Sequence, residues 1–443
     1  MFGELKSEEC VVSSNMQEFK SRRNRLRELL AEQYPKMQGR IVLFAPFESV
    51  RHAFFQDSYF YYMTGLFEPA LGLVIDPSGE STLYAPRYGV DRHQWMASSA
   101  LFNDATMPMY GLDRFSFLGD ATKSYQMDPY FSRSDYGALI ELLQNMVQRK
   151  EYLFTVYPEY NYEAAPVKRI VDYLVSFVPG LKDYIVDVSP QIDEMRRTKS
   201  MMEIEFLHRA MDVTHTAFQS ASYVTKPKAS ESEVQAAIEY VYTENNMISS
   251  YYPIVAGGKN ATILHYNNNN QLLKAGELLL IDTGAMYQHY CADITRVFPV
   301  SGVFTDDQKA LYSIVLETQE HVAAHVKPGM YLVNSKEQEI SLHHIALAFL
   351  KQHGYEKYFN HGIGHFLGLD VHDVGDRSVP LKRGDVITVE PGIYIPEKNI
   401  GIRIEDNYWV MDDGEPVCLS EEIPKSIEDV ENMMQQDFDI DLS

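Results

Sequence analysis

IDTGAMYQHYCADITRVF, residues 281–298, decides the fold. It begins inside an apolar run, ELLLIDTG (277–284), and ends in a β-branched one, ITRVF (294–298). Runs this short between turn residues predict strands, here two arms of a hairpin. Two acids, Asp282 and Asp293, interrupt those arms. Burying a lone ionised carboxylate costs several kcal/mol unless it is paired or metal-bound, so both acids need an explanation.

Working outward, the same design recurs. Gly276-Glu277 leads in six steps to Asp282, and Gly384-Asp385 leads in six steps to Glu390 in VITVEPG (386–392). His265 precedes the first acid and His372 precedes the second at nearly the same distance. Lys226-Pro227 and Lys327-Pro328 each follow a helical stretch. Several features at one period predict two copies of a helix-plus-hairpin unit about a pseudo-twofold axis. Ser230–Glu233 and Thr305–Gln308 read as capping boxes opening helices. IRIEDNYWV (402–410) alternates, which predicts one strand with Arg403 and Glu405 on the same face.

The preceding half predicts a separate α/β domain. MQEFKSRRNRLRELL (16–30) has helical spacing, with its arginines expected on a solvated face. RIVLFA (40–45) predicts a buried strand, and LGLVID–PSG–STLYA (71–85) a hairpin. The expected division is a flexible terminus over 1–15, an N-terminal domain over 16–189 and a second domain over 190–443. An α/β (α+β) architecture follows.

Composition narrows the function. The chain has 443 residues, and 39 Lys and Arg against 62 Asp and Glu leave a formal charge of −23. Nucleic acid and anionic membrane surfaces are excluded as partners on that balance. Three cysteines build no disulfide framework and fit a reducing compartment. No apolar run approaches the roughly 20 residues of a membrane helix, and the N-terminus has no secretory h-region. A cytoplasmic location is expected. Cys291 shares a strand face with Asp293 but reads as a buried, inert thiol.

Four acids now interrupt apolar strands: Asp282, Asp293, Glu390 and Glu405, with His365 closing HGIGH. Nearby in sequence only Arg296 and Arg403 offer positive charge, and two cations do not neutralise four anions. A pair of divalent ions does. Carboxylates and imidazole suit Mn²⁺, Co²⁺, Zn²⁺ or Fe²⁺.

IDTGAMYQHYCADITRVF, HGIGHFLGLDVHD (361–373), VEPGIY and GIRIED together resemble the pita-bread metallopeptidases, in the aminopeptidase P and prolidase branch. FFQDSYFYYMTG (54–65), followed by Glu68-Pro69, resembles that branch's N-terminal domain. The resemblance implies two metal ions, with manganese the family-based choice. Asp282 would be the terminal ligand of one, His365 and Glu390 would ligate the other, and Asp293 and Glu405 would bridge. It also implies substrate-holding histidines His265, His361 and His372, proton transfer by Glu390, and orientation of Glu405 by Arg403. The implied substrate is a peptide with proline second, cleaved before the proline. Tyr266, Phe366 and Tyr394 are candidates for a wall against the ring. A dipeptidase limited to Xaa-Pro is the alternative, and a catalytically dead binding module a third possibility. A homodimer or homotetramer is expected.

Overall fold

The computed structural model describes residues 8–48, 53–96, 102–127, 131–159, 165–412 and 415–436. The chain forms two compact units, Met1–Met195 and Arg196–Ser443. Part of the expected flexible terminus, residues 1–7, lies outside the described residues, and residues 8–15 belong to a helix described from Glu8.

In the first unit the elements run α1 (Glu8–Gln33), β1 (Gly39–Phe44), α2 (Ser58–Thr64), β2 (Gly72–Ile75), β3 (Ser81–Tyr88), α3 (Arg92–Trp95), β4 (Arg114–Lys123), α4 (Gly137–Arg149), β5 (Tyr152–Thr155), α5 (Ala165–Phe177) and β6 (Ile185–Asp187). The strands make one mixed sheet ordered β4-β3-β2-β1-β5-β6. The β2–β3 hairpin turns where Pro77-Ser78-Gly79 places it. One expectation fails here. Arg22 and Arg23 of α1 are buried rather than solvated. Arg22 donates to the Tyr62 carbonyl (3.2 Å) and Arg23 to that of Met63 (2.7 Å). These carbonyls end α2, where no further helical turn supplies donors. Helical spacing alone does not reveal such partners.

α6 (Ser189–Arg197) leads into the second unit. There follow α7 (Met201–Val224), α8 (Glu231–Glu244), β7 (Ile248–Ser249), β8 (Ile254–Gly257), β9 (Leu278–Thr283), β10 (Ala285–Tyr287), β11 (Tyr290–Cys291) and β12 (Ile294–Pro299). The second half runs α9 (Asp306–Ala323), α10 (Leu342–Gln352), β13 (Val386–Val389), β14 (Gly392–Ile395), β15 (Ile400–Arg403), β16 (Asp406–Trp409), β17 (Val417–Cys418) and α11 (Ile427–Met433). Both capping boxes form, at the starts of α8 and α9.

The repeat is visible in the architecture. α7 and α8 precede the sheet β12-β9-β8, and α9 and α10 precede the sheet β13-β16-β17. Phe218, Ile281 and Val297 of the first half share one buried cluster with Val315, Ile387 and Ile402 of the second. The two halves therefore share one core, and their strand ends converge.

The predicted single strand 402–410 is instead broken between Arg403 and Asp406. Arg296 explains the break. Its guanidinium donates to the carbonyls of Glu405 (2.7 Å), Thr295 (3.0 Å), Ile423 (2.9 Å) and Pro424 (2.8 Å), and to Asp406 (2.6 Å). The backbone at Glu405 is thus taken out of one ladder and bridged to Thr295 of β12. Alternation in sequence does not encode that long-range claim on the carbonyls.

Candidate metal and catalytic site

The acids sit where strands end. Asp282 is the penultimate residue of β9, opposite Thr295 of β12 and Ile254 of β8. Asp293 immediately precedes β12, Glu390 immediately follows β13, and Glu405 occupies the break before β16. HGIGH is laid along β13. Thr388 N–H donates to the His365 carbonyl (2.9 Å), and Glu390 N–H to that of Ile363 (2.9 Å). Gly364 serves close approach rather than a positive φ: a Cβ there would lie 2.0 Å from the Thr388 carbonyl oxygen.

These pieces meet at one cavity of about 480 Å³ within the second unit. Asp282, Asp293, His365, Glu390, Glu405, His265, His361, His372 and Arg403 all line it. Asp293, His365 and Glu405 present ligand atoms within 4.8 Å of one another. His365 Nε2 is 3.2 Å from Asp293 Oδ2 and 3.7 Å from Glu390 Oε1. Its Nδ1 is 3.0 Å from the Phe366 carbonyl, which fixes the ring with Nε2 facing the acids.

Arg403 organises the floor. It donates to Asp282 Oδ2 (2.5 Å), Thr295 Oγ1 (2.9 Å) and the Tyr394 hydroxyl oxygen (2.8 Å). Thr295 in turn donates to Glu405 Oε2 (2.7 Å). Arg403 therefore reaches Glu405 through a threonine hydroxyl, not across one strand face. The second arginine expected near the acids, Arg296, pairs with Asp406 instead.

Proton positions follow along a short chain. The Tyr394 oxygen accepts from Arg403, so its O–H donates to His361 Nε2 (2.9 Å). His361 Nδ1–H then donates to the Gly362 carbonyl (2.8 Å). Burial, with Arg403 adding to it, pushes His361 down to about 3, so the ring is neutral and both nitrogens are engaged.

The acids repel one another. Burial, reinforced by Asp293, Glu390 and Asp282, holds Glu405 well above the usual carboxylate range. Burial also raises Asp282, against the pull of Arg403. Glu390 is pushed up to about 7 by burial, with His365 and Arg403 opposing. His365 resists burial and rises to about 9 because Asp293 and Glu390 face it. A set of buried oxygens and one imidazole nitrogen, crowded with negative charge, is what a divalent cation relieves.

The N-terminal unit matches the aminopeptidase P N-terminal domain over residues 19–127, and the second unit matches metallopeptidase family M24 over 205–412. Xaa-Pro aminopeptidase of Haemophilus influenzae is 32% identical, covering 94% of this chain and 97% of its own. The chain belongs to metallopeptidase family M24, in its aminopeptidase P branch. Human Xaa-Pro aminopeptidase 3 is 30% identical over 98% of this chain and 88% of its own. Zinc-substituted Escherichia coli aminopeptidase P in complex with product superposes with a TM-score of 0.78 at 30% identity, covering 95% and 98% of the two chains. This M24 member is therefore a hydrolase with the pita-bread fold, and its acid-histidine cluster is suited to divalent metal. Among the described residues, no helix is long and apolar enough to cross a membrane.

Several site residues were not evident from sequence. Tyr251 donates to Asp293 Oδ1 (2.6 Å) and also contacts Asp282. Tyr252, Ile254, Leu264 and Val371 supply the cavity's apolar wall. The expected wall of Tyr266, Phe366 and Tyr394 does not line it. Tyr266 bonds Glu231, Phe366 is packed in the core, and Tyr394 serves Arg403. The SYYP run around Tyr251 lies outside every acid or histidine motif, so only the fold brings it in. Cys291 is fully buried, and burial drives its thiol far up, so it is inert.

Proposed function

We propose that this enzyme hydrolyses the peptide bond between an N-terminal residue and a following proline, using two divalent ions. The supporting observation is the convergence of Asp282, Asp293, His365, Glu390 and Glu405 on one cavity, in a chain similar over nearly its whole length to Xaa-Pro aminopeptidases. Asp282, Asp293, His365, Glu390 and Glu405 would hold the ions. Such a pair, when bound, supplies a water acidified to a pKa near ~7 and charge for the scissile carbonyl oxygen.

The side chains do the rest. Glu390 accepts a proton and returns it to the leaving nitrogen. His372 and His265 line the cavity and serve as donors toward the developing oxyanion. His361 holds Tyr394, and through it Arg403, in place. Proline lacks an amide N–H, so its ring is selected by shape.

Manganese, a homodimer or homotetramer and cytoplasmic action belong to the same proposal. Oxygen-rich ligands support the first, and the low cysteine content supports the last. The deciding assay offers a tripeptide with proline second beside an Xaa-Pro dipeptide, after chelation and return of manganese, cobalt, zinc or iron. Release of the first residue from the tripeptide is expected. Turnover of the dipeptide alone would assign the enzyme to the dipeptidase class.

A further inference from the structure

Glu231 lies in the first turn of α8, fully buried, and takes no part in the site described above. A buried carboxylate persists only where donors satisfy it. Here four do. Oε1 accepts from Gly257 N–H (2.8 Å) and Asn260 Nδ2 (2.8 Å), and Oε2 accepts from the Tyr266 hydroxyl (2.8 Å) and Gln271 N–H (2.9 Å). All four donors belong to one segment, 257–271. It is gripped at both ends and in its middle.

That segment carries Leu264, His265 and Asn267 into the cavity wall. His265 is exposed, and its ring has no hydrogen-bond partner among the described residues. Nothing on the imidazole fixes its direction. The next residue is different: Tyr266 is buried, and its hydroxyl ends on Glu231. Asn269 adds a second tether, accepting from Val255 N–H (3.1 Å) and donating to the Pro253 carbonyl (2.7 Å). The backbone under His265 is therefore located by contacts its own side chain does not make.

We infer that Glu231 is a positioning residue, acting through Tyr266 to hold His265 at the reacting centre. The inference rests on the peptidase function proposed above. A misplacement near 1 Å can cost about 100-fold in rate, so loss of the tether is expected to lower kcat/KM by about 10- to 100-fold.

The test is a double-mutant cycle. Tyr266→Phe removes one hydroxyl and keeps the ring, and Glu231→Gln keeps the size while turning donors of its own toward donors. Each is measured alone and in a His265→Ala background, with metal content checked. The expected result is a clear loss in the native background, mostly in kcat, and almost none once His265 is gone. Equal fold-losses in both backgrounds overturn the inference, because a merely structural tether is additive. Hydrogen exchange of peptides spanning 257–271 gives a readout independent of turnover. Faster exchange confined to that segment in Tyr266→Phe supports the tether, and unchanged exchange overturns it whatever the enzyme cleaves. Failure of native protein to cleave any Xaa-Pro peptide would refute the proposed function without touching that exchange result.

Discussion

Thr295 and Glu405 meet twice. Their backbones form an isolated antiparallel bridge, and the Thr295 hydroxyl donates to Glu405 Oε2 at 2.7 Å. The Thr295 hydroxyl oxygen also accepts from Arg403 Nε at 2.9 Å. One small side chain thus joins the two halves of the catalytic unit and sets the direction of a carboxylate. Loss of a group that orients a metal ligand costs about 10- to 100-fold in metal affinity or activity. Thr295→Val is expected to fall in that range while Thr295→Ser stays near native. Metal titration of activity checks this. Equal behaviour of the two variants would show that the hydroxyl is irrelevant.

The proposed ligands and the proposed helper histidine separate by metal content. Asp293 and Glu405 both belong to the tight cluster with His365, whereas His361 faces Tyr394 and the Gly362 carbonyl. Asp293→Ala and Glu405→Ala are expected to lose metal and activity together. His361→Ala is expected to keep metal and lose turnover. Elemental analysis of the three proteins decides it, and equal metal loss in all three overturns the division.

Gly364 is expected to tolerate no side chain. Its Cβ would meet the Thr388 carbonyl oxygen at 2.0 Å, while Thr388 holds the His365 backbone on both sides. Overpacking of this kind costs about 1–3 kcal/mol. Gly364→Ala should therefore lower the urea midpoint and weaken metal binding, because His365 moves with the strand. Native metal affinity in a stable variant would contradict this.

What was legible in the sequence were the interruptions. Asp282, Asp293, Glu390 and Glu405 stand out because apolar strands leave no local reason for an acid. The repeat showed through the equal spacing of glycine and acid and the nearly equal spacing of histidine. The partners of those acids were not legible. Tyr251 and Thr295 are ordinary residues whose role comes from strands distant in sequence. The burial of Arg22 and Arg23, and the break ahead of Asp406, depend on carbonyls contributed by other elements. Periodicity reports which face is buried, and carries no record of which backbone oxygens are left without donors.

Away from the cavity floor, Asp373 anchors the first residues of the second unit. Its Oδ1 is 2.6 Å from Arg196 Nη2, and its Oδ2 is 2.9 Å from Lys199 Nζ, with Lys199 and Asp373 almost wholly buried. Burial works against the charged acid, but Lys199 and Arg196 outweigh it and hold Asp373 below the usual carboxylate range. A carboxyl depressed in the folded state stabilises above its unfolded pKa, about 3.9, and loses that contribution as pH falls through the folded value. Asp373→Asn leaves the buried Lys199 without its acid, while Arg196 keeps Asp370 at 2.6 Å; removing one partner of a buried pair costs about 3–5 kcal/mol. The stability gap between native protein and variant should be full at pH 7, persist to about pH 4 and shrink below it. Urea unfolding at stepped pH from 7 to 3 measures the gap directly. A gap that stays constant across that range would mean the acid stabilises by shape and hydrogen bonding alone, with its charge irrelevant.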